Sequence, residues 1–415
     1  MSPTSRQGTA VVSVSFFATA LCVGASQYGF ALFIAPLEES FGWSRTEIAV
    51  SLSFAAVSGL AAPFLGRAMD RYGARPILVL SLCITGVAFG LRPLMSELWH
   101  WYALSFLQFI AFSGATMLPM GKLVAVWFAR TRGRAMGIAA MGNNVGGLIV
   151  PPTVIAILAF ATWREGFVAL SIASFALALI AMFSVKERPS NLHQPAPVQS
   201  SPTLDKPSPP GTVLNANEGM TVSQAMRTPA FFAVVGAVTL GSFTYSAMLP
   251  HVFAHLVNSG ITLERASFTL GTLAVGGIAG KLLFGFLAER LGARVAAIIN
   301  LTGQATFAMA LGFAVTSLSL SLLTPAFGLF MGGFGVLITL LVQDTFGLRH
   351  FGSIMGLVNA SNIVSFGLGP LIAGLSYDLT GAYTAGFAIT SGLFALGALV
   401  LLAVRLPGRT HATSS

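Results

Sequence analysis

The chain has 415 residues, 55% of them hydrophobic and 8% charged, with a formal net charge of +9. A soluble domain carries about 25% charged residues, so the composition excludes a soluble globular protein and points to an integral membrane protein. The basic excess sits in loops on one side of the expected spans, which is a topological pattern and leaves a nucleic-acid role without support.

Uncharged runs such as Gln7 to Leu37, Leu98 to Gly121, Ala135 to Trp163 and Val295 to Gln343 are continuously apolar. A helix crosses the hydrocarbon core in ~20 residues, and the alternation of a membrane β-barrel is absent. Helices are expected at 9–36, 46–69, 76–96, 100–128, 135–159, 164–185, 228–256, 264–288, 294–315, 318–344, 352–375 and 382–405. Between Ser184 and Thr228 the chain turns rich in Pro and Ser, the composition of a flexible cytoplasmic linker. The expected organisation is thus a six-helix bundle over 1–185, a linker over 186–227 and a second bundle over 228–415.

With the N-terminus inside, the cytoplasmic segments hold most of the arginines, and the outside keeps only Arg45, Arg92, Arg164 and Arg265. Both termini are then cytoplasmic, in a multi-pass protein of a cell membrane, with a bacterial inner membrane the expected one. The first apolar run is too long for a cleavable signal peptide. Cys22 and Cys83 lie in apolar runs and read as packing residues. No Cys/His spacing suggests a metal site, and no cofactor is expected.

The two halves repeat one another. GRAMDRYGAR, from Gly66 to Arg75, returns as GFLAERLGAR, from Gly285 to Arg294. Adding 219 carries Asp70 to Glu289, Arg71 to Arg290, Gly73 to Gly292, Gly137 to Gly356 and Pro151 to Pro370. Twinned membrane bundles belong to carriers with a site between repeats.

GRAMDRYGAR resembles the loop signature G-x-x-x-D-R-x-G-x-R of the major facilitator superfamily. Three further stretches, Gln27 to Ser51, Trp127 to Gly147 and His251 to Arg294, are similar to the monocarboxylate and oxalate–formate carriers of that superfamily. The resemblance implies an all-α membrane protein of twelve transmembrane helices in two pseudo-symmetric six-helix bundles. It also implies that the repeated loop latches the halves on the cytoplasmic side, through Gly66, Asp70, Arg71, Gly73 and Arg75 and their counterparts Glu289, Arg290 and Arg294.

Lys281 is the foremost candidate for chemistry. It lies inside the eighth span, and its repeat partner is Ala62, so the fold of a half does not require the charge. A Lys at bilayer depth costs about 2.5–3.5 kcal/mol and faces a cavity or a partner; the competing reading has it snorkelling to the cytoplasmic headgroups. In the resembled carriers an arginine at this position holds the substrate carboxylate, so the Lys is a departure: a point charge replaces a bidentate fork.

Lys122, in the fourth span, reads equally as substrate field or as snorkelling. His251 and His255 form an i, i+4 pair, and His251 is a candidate for substrate contact and proton coupling, as Lys281 is. Tyr28, Asn143 and Tyr245 are expected to face the cavity. Asp344 is expected to pair with Arg349 near the cytoplasmic end.

No paired carboxylates, nucleophile elbow or phosphate loop is present, so neither an enzyme nor an ATP-driven pump is expected. The leading expectation is a monomeric secondary transporter for small organic anions such as lactate or pyruvate, with proton symport or anion exchange. Two alternatives stand beside it. One is an efflux carrier for drugs or metabolites, whose neutral or cationic cargo would survive a charge change at Lys281. The other is a membrane sensor that binds without transporting.

Overall fold

The structure is a computed structural model and describes residues 3–187 and 219–403. Most of the expected linker, with Arg188 and Lys206, and the C-terminal Arg405 and Arg409 lie outside the described residues.

Among the described residues twelve helices are long and apolar enough to cross a membrane. The first half holds α1 (Arg6–Tyr28), α2 (Glu47–Tyr72), α3 (Ala74–Leu94), α4 (Leu98–Trp127), α5 (Arg132–Leu158) and α6 (Trp163–Ser184). The second holds α7 (Pro229–Asn258), α8 (Glu264–Leu291), α9 (Ala293–Phe313), α10 (Ser317–Phe346), α11 (Phe351–Thr380) and α12 (Thr384–Ala403). The turns between spans are short and chemically specified. Gly73 (φ +102°) ends α2 and Gly292 (φ +84°) ends α8, in backbone regions that penalise a side chain. Capping boxes open helices at Ser44–Glu47 and Thr162–Glu165.

The first helix departs from expectation. It is not one continuous segment over 9–36: α1 winds into a π-helical turn at Gly24–Tyr28, breaks, and resumes as a helix over Ala31–Phe41. In the second half α7 has the same feature at Thr244–Met248, 220 residues later. A π-turn widens the helix and frees backbone groups, a feature found most often at functional sites.

The repeat is visible in the packing between halves. Gly66 of α2 lies so close to α11 that a Cβ built on it would stand 1.9 Å from the carbonyl oxygen of Gly352. Its counterpart Gly285 of α8 meets Gly133 of α5 with a corresponding distance of 2.3 Å. Shifting the first pair by 219 residues produces the second. One turn further into the membrane, Gly356 packs on the carbonyl of Ala62, and Gly137 packs on the carbonyl of Lys281, each with a built Cβ at 2.5 Å. Two helix crossings related by the repeat thus bring the halves into backbone contact at the end of the bundles that carries the Gly73 and Gly292 turns, where only glycine fits.

Candidate functional site

The two crossings place an acid against a helix start on each side. Asp70, at the end of α2, accepts from the backbone N–H groups of Gly352 and Ser353 at 3.0 and 2.8 Å and from Ser353 Oγ at 2.8 Å. These are the unpaired donors of the first turn of α11, where a carboxylate is favoured by the helix dipole. Glu289 does the same at the start of α5, accepting from Arg134 N and Arg134 Nε, both at 2.8 Å. Arg134 and Ser353 are themselves 219 residues apart.

Lys122 belongs to this arrangement and not to a substrate field or the headgroups. Its ammonium donates to Asp70 Oδ1 at 3.1 Å and to the carbonyl of Met69 at 3.3 Å, with Asp70's side chain 7% exposed. Asp344 likewise pairs with Arg132 of the other half, not with Arg349, and also accepts from Ala293 N. Gln343 Nε2 donates to the carbonyl of Gly121 across the same gap at 2.9 Å. The structure is closed at this end of the bundles.

The remaining motif residues act inside their own half. Arg75 ties the start of α3 to the end of α6, through its N–H on Glu187 and its guanidinium on the carbonyl of Met182. Arg294 donates to the carbonyls of Leu401 and Leu402 at the end of α12. Met182 and Leu401 are again 219 apart. Arg71 stacks over Tyr72 and Arg290 over Phe286. Arg75 and Arg294 therefore brace the bundles, and among the acids and arginines of the repeated loops it is Asp70 and Glu289 whose bonds cross between halves.

Lys281 is 8% exposed and donates to Asn144 Oδ1 of α5. Its side chain runs away from the closed end of the bundles. Its own carbonyl lies level with Gly137, whereas its ammonium reaches a residue seven positions further out on α5, about 10 Å along the helix. Helical side chains lean toward their own N-terminus, which for α8 is the end opposite the closed one, so the lean carries the charge away from the closed end. The snorkelling reading does not hold. Among the described residues the ion pairs are Glu38–Arg45, Asp70–Lys122, Arg132–Asp344 and Arg134–Glu289, and Lys281 is in none of them.

The other expected site residues divide. The ring of Tyr28, in the π-turn of α1, packs 3.0 Å from a Cβ built on Gly147, one turn outward of Asn144 on α5. Tyr245, in the π-turn of α7, donates from its hydroxyl to the carbonyl of Met331 at 3.3 Å. That hydroxyl lies beside Gly335 and Met117, where α7, α10 and α4 meet. Asn143 forms no hydrogen bond among the described residues; the amide that meets Lys281 is its neighbour's. His251 shares a hydrogen bond with the carbonyl of Ala247 at 3.0 Å and lies near Tyr383. Counted along α7 and α8 from their outer ends, it is about 15 Å outward of Lys281. His255 is buried within the second half, 2.9 Å from the carbonyl of Leu311 and against Phe387.

Asn144 was findable from sequence. Gly133, Gly137 and Asn144 fall within about 40° of one another on a helix of 3.6 residues per turn, while Asn143 is turned about 100° from Asn144. The glycine stripe marks the face of α5 that touches α8.

A twinned bundle closed at one end, with a lone ammonium between its halves, defines the class of membrane carriers. The Major Facilitator Superfamily family model matches residues 16–347 and again residues 231–415, and the chain belongs to that superfamily. It is a multi-pass membrane transporter of small molecules and not an enzyme. It is 24% identical over 409 residues to monocarboxylate transporter 13 of Bos taurus, covering 96% of this chain and 90% of that protein. It is 24% identical over 384 residues to the probable sulfoacetate transporter SauU of Cupriavidus necator, covering 89% and 87% respectively. In fold it is similar to the proton:xylose symporter XylE, with a TM-score of 0.73 at 14% identity over 96% of both chains.

Proposed function

We propose that this transporter is a secondary carrier for small organic anions, in particular monocarboxylates such as lactate or pyruvate, moved by alternating access of its two halves. The observation that carries the reading is Lys281. Its ammonium is buried between the halves, turned away from the headgroups, and paired with a neutral amide and no carboxylate. Lys281 supplies a positive point between largely apolar spans, which suits a short acid with an alkyl or hydroxyalkyl tail. The relatives named for monocarboxylates and for sulfoacetate support a small anionic cargo.

In this reading Tyr28, Tyr245 and Asn143 line the path of the cargo, and His251 meets it on the outer side. The coupling is proton symport, with His251 or Lys281 as the titrating group, or anion exchange. Asp70 and Glu289 hold the cytoplasmic gate, with Gly66, Gly73, Arg71, Arg75, Arg290 and Arg294 shaping it. The working unit is a monomer in a bacterial inner membrane, built as bundles 1–185 and 228–415 joined by a cytoplasmic linker over 186–227, with both termini inside.

The test is uptake of labelled lactate, pyruvate, formate and oxalate into proteoliposomes, with and without an inward proton gradient. Stimulation by the gradient marks symport; acceleration only by internal anion marks exchange. A charge-assisted bond contributes about 1.5–3 kcal/mol, so Lys281→Ala lowers uptake about 10- to 100-fold. Wild-type rates in that variant for every anion tested would remove the basis of the proposal.

A further inference from the structure

The Asn144 amide is held in one orientation. Its oxygen accepts from Lys281 Nζ, and its nitrogen donates to the carbonyl of Ala274 at 3.1 Å. Exchanging the two ends would set an N–H against an ammonium and an oxygen against a carbonyl, so the chemistry of the partners fixes which end faces Lys281. The side chain lies on bare backbone: a Cβ built on Gly277 would stand 3.2 Å from Asn144 Nδ2. Ala274, Gly277 and Lys281 share one face of α8 and belong to the second half, whereas Asn144 belongs to the first. The bond to Lys281 therefore exists only while α5 and α8 are in contact.

We propose that Asn144 stands in for the cargo. In the empty carrier its amide oxygen occupies the place of the substrate carboxylate on Lys281 and lets the cytoplasmic side close with nothing bound. This deepens the reading of Lys281 as the anion anchor and rests on it, but its first consequence concerns the empty protein. A buried ammonium without an acceptor is costly. Without Asn144 the empty carrier relieves that cost by opening the cytoplasmic side and hydrating Lys281. Closure then needs cargo, so exchange of anion for anion continues while the empty return step, and net flux with it, fails.

The first experiment uses no cargo. In a background with Cys22→Ala and Cys83→Ala, Ala288→Cys reports the cytoplasmic side; Ala288 is 8% exposed and lies beside Arg132 and Gly133 of the other half. Maleimide labelling of the substrate-free protein rises about fivefold in Asn144→Leu. It falls below the unmodified rate in Asn144→Asp, which offers Lys281 a charged acceptor. An unchanged rate in Asn144→Leu overturns the proposal. If that variant does not fold, the Asp variant decides, and labelling no slower than in the unmodified protein overturns it equally.

The second experiment uses labelled lactate in proteoliposomes. For Asn144→Leu, net uptake into lactate-free vesicles drops about tenfold while exchange against internal lactate stays within about twofold. Parallel loss of both counts against a stand-in. Absence of lactate flux in the unmodified protein counts against the carrier's assigned cargo, and the labelling result still judges Asn144.

Discussion

Arg92 is the residue whose sequence context misleads most. It closes an apolar span just before a proline, and the charge pattern places it on the outer surface. In the structure it is 5% exposed, inside the first half. A 3₁₀ turn over Arg92–Leu94 redirects the chain, and the guanidinium lies 4.6 Å from the ring centre of Trp101, 4.8 Å from Phe167 and 5.1 Å from Phe89. It donates to Gln108 Oε1 at 2.6 Å and Ser105 Oγ at 3.3 Å, and Gln108 passes a bond on to Ser26 in the π-turn of α1 at 2.7 Å. A cavity of about 10 Å³ beside it has room for one water. The cation is thus held by ring faces and neutral dipoles, and it braces the turn that carries Tyr28. Arg92→Met keeps the bulk, removes the ring interactions and leaves the Gln108 oxygen without its donor. The expected loss is about 2 kcal/mol, read as a melting temperature lower by a few degrees. A melting temperature at or above the unmodified one would show that the guanidinium costs the fold more than it contributes. Lys281 was legible where Arg92 was not, because Lys281 lies inside an expected span, whereas Arg92 stands at a span end beside a proline, where a loop would absorb its charge.

At the scale of elements, the twelve spans were legible from hydropathy alone, since lipid requires that each backbone group be satisfied within its own helix. The π-turns were not. Neither Gly24–Tyr28 nor Thr244–Met248 contains a proline, and their shape answers to packing: Gly24 is pressed against α5, where a Cβ would stand 2.5 Å from Val150 and 2.8 Å from the carbonyl of Gly146. The glycine crossings were half legible. The repeat marked Gly66 and Gly285 as equivalent, but which helices they meet required coordinates. Equivalence makes a prediction. Gly66→Ala drives its methyl into the Gly352 carbonyl, and Gly285→Ala drives its methyl into that of Gly133, so each must part the halves at the closed end. Both substitutions should raise labelling of Ala288→Cys and slow transport about tenfold, for an overpacking cost of about 1–3 kcal/mol. Gly271, which has nothing within 4 Å of a built Cβ, serves as the control. If Gly66→Ala and Gly271→Ala behave alike, the crossing does not gate the carrier.

For the whole molecule, the repeat conceals an asymmetry. The two acids sit at equivalent places, yet their company differs. Asp70 has Lys122 beside it as well as two backbone donors and a hydroxyl, while the position 219 residues after Lys122 is Leu341. Glu289 has only Arg134, whose side chain is 54% exposed. Removing the charge at Asp70 leaves a part-buried ammonium unpaired, a loss of about 3 kcal/mol for a buried pair. Removing it at Glu289 gives up a screened pair and a cap, about 1 kcal/mol. Since 1.4 kcal/mol is a factor of ten in an equilibrium, Asp70→Asn should open the closed end of the empty carrier about a hundredfold and Glu289→Gln about fivefold. Salt separates them further. The Debye length falls from about 10 Å at 0.1 M to 3 Å at 1 M, so the exposed pair weakens and the enclosed one does not. Labelling of Ala288→Cys should rise more with salt in the Asp70→Asn protein, where the exposed Arg134–Glu289 pair still joins the halves, than in Glu289→Gln, where that pair is gone. Equal responses of the two variants would mean that the twinned loops share the latch evenly, and that Lys122 is held by Asp70 without strengthening it.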